Sequence, residues 1–218
     1  MFKLSNINIL KCDTLKIKYS RDKIMCDKEN MNETKFQDGI INGFDIYTWD
    51  NGDIYEGNFV NNMFNGYGIF KWVNGDIYEG NFVNDMFNGH GTLKTSEGDI
   101  FIGEWKNNDL HGQVKITWAN GDMYEGFWDD NAKDGIGIYI QANGEKYDGE
   151  WFYDNRNGKG IQTYNNGNKY DGEWLNDYKD GNGIYTWPNG DMFIGEWNND
   201  KISKGKMIWA NDFIYESE

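Results

Sequence analysis

Polar and apolar positions alternate along this chain in short runs, and the runs recur at a fixed interval. In each copy an aromatic residue is followed two places later by glycine and four places later by Trp or Phe. The copies start at Tyr55, Tyr78, Phe101, Tyr124, Tyr147, Tyr170 and Phe193, one every 23 residues. Glu, Asp and Asn fill most of the places between, as in Tyr78-Glu79-Gly80-Asn81-Phe82. A period of two puts the aromatics and the glycine on one face of a β-strand and the acids on the other. A second run follows in each copy. In the first it reads Gly66-Tyr67-Gly68-Ile69-Phe70-Lys71-Trp72, and its glycines, Phe70 and Trp72 are expected to share a face. Asn74-Gly75, Asn120-Gly121, Asn143-Gly144, Asn166-Gly167 and Asn189-Gly190 then recur in register. They predict hairpin turns in which both residues take positive φ.

Each unit therefore reads as a β-hairpin. A period of this size marks a repeat array, in which each unit stacks on its neighbours and does not stand alone. The expected fold is all-β: an elongated single-layer antiparallel meander of repeated β-hairpins. It comprises about seven full units plus partial ends. The array is expected over residues 39–218, opening with a half-unit at 43–54, and residues 1–38 form an N-terminal extension. Within that extension 15–19 alternates like a strand, and 20–38 reads as a flexible lead-in. An inward glycine leaves a hole that a ring on the adjacent strand can fill, and it bends the sheet.

The motif resembles the MORN repeat (membrane occupation and recognition nexus), with Tyr-x-Gly-x-Trp, then Gly-x-Gly about seven residues later. Tyr147-Asp148-Gly149-Glu150-Trp151 with Gly158 and Gly160 meets every position, as does Tyr170-Asp171-Gly172-Glu173-Trp174 with Gly181 and Gly183. The third copy departs with Val114 at the second glycine, and the last keeps only Gly205. The resemblance spans 43 to 215. It implies a twisted, grooved rod with scaffold or adaptor roles, often at membranes or cytoskeleton.

Charge narrows the partners. The chain of 218 residues carries a formal −15. Residues 1–38 hold eight basic and six acidic side chains, whereas the remainder holds 13 against 30. An acidic array is repelled by anionic lipid and by nucleic acid. The sequence has no apolar run of transmembrane length and no apolar signal stretch, so an intracellular, cytoplasmic protein is expected, in places peripheral to membrane or cytoskeleton. Cys12 and Cys26 fit no metal spacing. His90 and His111 occupy different places in their units, and no catalytic constellation emerges. No enzyme activity, cofactor or metal is expected.

Three surfaces remain as candidates. The first is an aromatic groove for an extended peptide or a helix of a protein partner, with Trp72, Trp105, Trp118, Trp128, Trp151, Trp174 and Trp187. The bland reading of these rings is the core of the rod. The second is an apolar patch at the tips between the two strands of early units: Met63, Phe64, Met86, Phe87 and Leu110. The third is a basic edge stripe of Lys133, Lys146, Arg156, Lys159, Lys169 and Lys179, which would serve phosphoinositide or anionic-membrane association. The acidic ladder of Glu56, Glu79, Glu104, Glu125, Asp148, Glu150, Asp171, Glu173 and Glu196 is expected to be a solvated face. Terminal strands expose unpaired edges, through which a homodimer could form.

Overall fold

A 23-residue copy becomes two strands, and the copies join into one sheet. The computed structural model describes residues 36–37, 40–211 and 213–217. A two-stranded piece, β1 (Phe36–Gln37) with β2 (Ile40–Ile41), precedes a sheet of 16 strands from β3 (Gly43–Thr48) to β18 (Ile214–Ser217). Every strand in the sheet pairs antiparallel with its sequence neighbours, and no crossover occurs. The expected all-β meander is the fold observed. Sixteen strands at about 4.8 Å give a rod of roughly 70 Å. Residues 1–35 lie outside the described residues, and with them the strand expected at 15–19.

The first full unit supplies β4 (Ile54–Val60) and β5 (Met63–Lys71). Two turn positions differ from expectation. The tight two-residue turn is Asn61-Asn62, with φ of 51° and 68°, and its equivalents recur to Asn199-Asp200. Asn and Asp tolerate this left-handed backbone because their side chains can bond locally. The Asn-Gly pairs instead sit in wider loops. Trp72 N–H bonds to Asp76 O and Gly75 N–H to Trp72 O, at 3.0 and 2.9 Å. There Gly75 alone takes positive φ, at 97°, and Asn74 does not. This is a three-residue loop closed by a glycine, where residue preferences alone favour a two-residue turn. Met63-Phe64 and Met86-Phe87 consequently open the second strands and are not tips.

Glycine serves two jobs in β5. Gly68 faces Gly57 across the ladder, on the ring side of the sheet. Tyr55 lies over both: a Cβ at either glycine would come within 2.5 Å of its hydroxyl oxygen. The ring thus fills a hole made jointly by its own strand and its neighbour, and its hydroxyl donates to Asn58 O at 3.0 Å. Gly66 has the other job. It sits at a bulge with φ of 82° and does not share the ring face with Gly68. The bulge needs partners for its backbone, and the facing residue supplies them. Asn58 donates to Tyr67 O, while in later units Glu150 and Glu173 accept the N–H of Lys159 and Asn182. Part of the acidic ladder is therefore structural.

Burial on a one-layer sheet comes from a second layer made of side chains. Tyr55 stacks on Phe64 at 3.8 Å and meets Phe59 and Phe82 edge-on at 5.1 and 5.2 Å. Tyr78 repeats this with Phe87 and Trp105. Full burial of such a side chain contributes about 2–3 kcal/mol, and the edge-to-face contacts add to it. The outer face pairs acids with aliphatics: Asp148 stands between Ile138 and Ile161, and Asp171 between Ile161 and Ile184.

Neighbouring units are clamped at both edges. The second turn residue accepts a backbone N–H from the preceding unit and returns its own: Asp85 Oδ1 takes Phe64 N–H at 2.7 Å, and Asp85 N–H bonds to Phe64 O at 3.1 Å. The same pair forms between Asn62 and Ile41. On the opposite edge Asp53, Asp76, Asp99 and Asp122 accept from Val73, Ser96, Ala119 and Ala142.

The Ile41 clamp exposes a unit that the motif hides. Phe36 pairs with Ile41 as Phe59 pairs with Phe64, and Gln37 with Ile40 as Val60 with Met63. Residues 36–37 and 40–54 thus keep the register of the copies that follow, and in the sequence Asn32, Thr34 and Asp45 fall at the Tyr and glycine positions.

Candidate functional site

The position of Phe64 divides the array in two. Stepping by 23 residues it reads Ile41, Phe64, Phe87, Leu110, then Lys133, Arg156 and Lys179. Phe64, Phe87 and Leu110 are buried in the ring layer. The three cations take the same place on the ring face. Lys133 Nζ lies 4.8 Å from the Trp151 ring centre, Arg156 Cζ 4.2 Å from Trp174, and Lys179 Nζ 5.2 Å from Trp197. Each is bound by the next unit's turn carboxylate: Lys133 to Asp154, Arg156 to Asp177 and Lys179 to Asp200, at 3.4, 3.1 and 3.5 Å. Arg156 uses every nitrogen of its guanidinium, donating also to Asp177 O and Gln162 Oε1. Ring faces attract cations, and a partly desolvated pair of this kind gains about 1–2 kcal/mol.

A second row of positions is interrupted at Thr95 and again, among the cations, at Gln141. Trp49 and Trp72 close over Phe64, Phe70 and Phe87 in the N-terminal half. The row continues as Thr95, Trp118, Gln141, Tyr164 and Trp187. With cations below and Gln141 for Trp, the rings no longer fill the space. A groove of about 1110 Å³ opens over the C-terminal half of the ring face. Trp118, Tyr139, Tyr164, Trp128, Trp151 and Trp174 line it, with Lys133, Arg156 and Lys179 in it and Gln162 buried at its base.

Carboxylates form both rims. Asp154, Asp177 and Asp200 stand on the tight-turn side, and Glu97, Asp99, Asp122 and Glu145 on the loop side. Burial acts to raise the Asp122 carboxyl, but bonds from the Tyr139 hydroxyl, Ala142 N–H and Asn120 outweigh it, and its pKa falls below the usual value. Asp122 is thus held charged at neutral pH. Tyr164 is pushed up to about 12, first by burial and then by Tyr185.

The expected site residues divide accordingly. Trp105, Trp128, Trp151 and Trp174 are buried in the ring layer, while Trp72, Trp118 and Trp187 are half-buried at its margin. Phe64, Phe87 and Leu110 are core rather than a tip patch, and Met63 and Met86 are half-buried beside them. The six basic residues do not make one edge stripe. Lys133, Arg156 and Lys179 are on the ring face, whereas Lys146, Lys159 and Lys169 are on the outer face, with Lys146 and Lys169 beside Asp148 and Asp171. Gln141 and Gln162 are groove residues that polarity alone does not single out. Their signal is register, since each replaces a ring found one or two units earlier. Among the described residues no cluster of His, Cys, Asp and Glu is suited to a metal ion, and no helix is long and apolar enough to cross a membrane.

The tryptophans also differ in hydrogen bonding. Trp105, Trp151 and Trp174 donate from Nε1 to the carbonyls of Gly91, Gly137 and Gly160, at 3.2, 3.0 and 3.0 Å. Trp128 Nε1 and Trp197 Nε1 are buried with no acceptor. Phe82 occupies this position natively. Trp151→Phe is expected to cost about 1–2 kcal/mol more than Trp128→Phe, because it deletes the bond from Nε1 to the Gly137 carbonyl. Urea unfolding of the two variants checks this, and equal losses would refute it.

Among solved structures, the TCP domain of SAS-4 (dCPAP) from Drosophila melanogaster, in complex with a proline-rich motif of Ana2 (dSTIL), aligns with a TM-score of 0.46 at 12% identity, over 80% of this chain and 89% of that one. A catalytically inactive virginiamycin B lyase from Staphylococcus aureus aligns with a TM-score of 0.18 at 13% identity, over 81% and 70%. No curated protein matches the chain significantly. The family model of the MORN repeat matches seven consecutive copies, at 55–77, 78–100, 101–123, 124–146, 147–169, 170–192 and 193–212. With its 23-residue register running through most of the sheet, the chain belongs to the MORN repeat family.

Proposed function

We propose that this chain is a non-catalytic scaffold whose ring-face groove holds a segment of a protein partner. The observation that carries this reading is the groove itself. The N-terminal half shows that the same repeat can close over its rings, and the C-terminal half leaves about 1110 Å³ open along several units. Exposed aromatic surface over a long, rigid floor suits an extended chain better than a small molecule. Aromatic side chains are also the usual anchors of protein interfaces. Trp118 and Tyr164, half-buried and at the groove, would be such anchors.

Anionic lipid finds less to hold, because each cation of the ring face already has a carboxylate beside it. The sheet edges at β3 and β18 would be the contact of a homodimer, which sedimentation across a concentration series would reveal.

The test is to close the groove. Gln141→Trp with Gln162→Phe restores the residue types of the N-terminal half and leaves the cation–carboxylate pairs in place. Proteins captured from a cell extract by the wild-type chain are expected to be lost by this variant. Capture unaffected by it would overturn the reading. Flotation of the wild-type chain with phosphoinositide vesicles at physiological salt would replace it by a lipid function.

A further inference from the structure

We infer that the groove's occupant is a cationic segment in an extended conformation, with a basic residue at every third position. This rests on the groove being a protein-binding surface and specifies its partner. The inference starts from the imbalance of charge around the groove, where seven carboxylates stand against three cations. The balance differs between the two rims. On the tight-turn side Asp154, Asp177 and Asp200 are each paired with Lys133, Arg156 or Lys179. The excess therefore lies on the loop side, at Glu97, Asp99, Asp122 and Glu145.

Those four residues come from three consecutive loops of one edge. Two strands separate each loop from the next, so the spacing is about 9.6 Å. An extended polyproline-type chain makes one turn in three residues and rises about 9.3 Å doing so. Basic side chains at every third position would then meet the successive loops in step. An α-helix returns to the same side after about seven residues and about 10.5 Å, so it slips by roughly 1 Å per unit. Apolar residues between the basic ones would lie toward Trp118, Tyr139 and Tyr164. The paired cations of the opposite side disfavour a segment that is basic all round. They require charge on one side only, and this gives specificity by repulsion as well as attraction.

The probe is a twelve-residue peptide of repeated Arg-Pro-Leu. Its controls are repeated Glu-Pro-Leu and a permuted peptide with its four arginines contiguous. Binding to the full chain is followed by tryptophan fluorescence and calorimetry. The first peptide is expected to bind at least tenfold tighter than either control, and less tightly as salt rises. Neutralising the loop rim, by Glu97→Gln, Asp99→Asn, Asp122→Asn and Glu145→Gln together, is expected to weaken it at least tenfold. Asn retains the oxygen that accepts the Ala119 and Ala142 N–H groups, and Asn168 already stands at this position in the next unit. Should the fourfold variant unfold, Glu97→Gln with Glu145→Gln carries the same test, because those carboxylates make no hydrogen bond or ion pair among the described residues. Equal binding of the acidic peptide, or binding unchanged by neutralising the rim, overturns the inference. If the acidic peptide's binding is then lost on closing the groove with Gln141→Trp, the protein-binding reading stands without it. Equal binding of the permuted peptide overturns the three-residue period. Binding by none of the three overturns the cationic partner, and the capture comparison then decides the groove reading on its own.

Discussion

Gly68→Val is expected to destabilise the chain by about 3 kcal/mol or more, although glycine there has an ordinary strand backbone. The objection is steric. The new Cβ would lie 2.5 Å from the Tyr55 hydroxyl oxygen and 2.7 Å from two ring carbons. The ring cannot step aside, since its hydroxyl is bonded to Asn58 O and Phe64 is stacked on its far face at 3.8 Å. The third unit shows how the conflict is relieved. There Phe101 replaces Tyr and Val114 replaces the second glycine. Val114 is buried, and the facing Gly103 packs on it rather than on a ring. Phe lacks the hydroxyl anchor, which frees the ring to move. Tyr55→Phe should therefore rescue Gly68→Val, with a coupling of about 1–3 kcal/mol in a double-mutant cycle followed by urea unfolding. Strictly additive losses would sink this account. The same change at Gly137 falls mid-array. Because repeat stability is a sum of neighbour terms, it should split unfolding into two steps.

Alkali is expected to unfold the protein sharply. Tyr55, Tyr78, Tyr124, Tyr147 and Tyr170 are all buried, and each has its pKa raised well above 10, chiefly by burial. A group whose folded pKa exceeds its unfolded value keeps its proton in the fold after the unfolded chain has lost it. Its contribution is fully present below about 10 and is lost as pH rises from there toward the folded value. Five such groups steepen the loss to at most about 7 kcal/mol per pH unit. Tyrosinate absorbance from the five buried rings should jump together with loss of β-sheet circular dichroism. A gradual titration of all tyrosines while the sheet remains intact would contradict the buried-ring layer. The carboxylates act at the other end of the scale. Asp122, lowered in the fold, contributes stability above its unfolded pKa of about 4 that is lost as pH falls through the folded value. Asp85, raised by burial against which the Phe64 N–H gives only partial relief, works in the opposite direction.

The hairpins, their register and the segregation of rings from acids were legible in the sequence, because a period of two inside a period of 23 leaves little freedom. The turns were not read correctly. Asn-Gly is the stronger local signal, and Asn61-Asn62 carries no glycine, yet the tight turn falls on the latter. The deciding information is the clamp to the preceding unit, a contact 21 residues away in sequence. That displacement of the turn hid the meaning of Lys133, Arg156 and Lys179. Placed at tips, they read as an edge stripe; as the second residues of second strands, they replace Phe64 and Phe87 in the ring layer. The groove was illegible for a related reason. Which rings stay open depends on the second layer of side chains, and that layer is complete over Phe64 and incomplete around Gln141. The register continues back to Phe36 and Ile41, yet the sequence there has Asn32, Thr34 and Asp45 in place of the Tyr and the two facing glycines, so the motif does not reveal it.

The clamps at the tight-turn edge reach the unit immediately before, at an offset of 21 residues that does not change along the array. Nothing in such a joint depends on how many joints there are. Length is therefore a digital quantity in this protein. Inserting one 23-residue copy in frame adds about 9.6 Å and one further joint of this kind, without altering the neighbours' contacts. The near-duplicate stretches 51–66 and 74–89 look like a recent increment of this kind. The rod behaves as a graduated ruler: where the increment falls decides whether the closed half or the open groove grows.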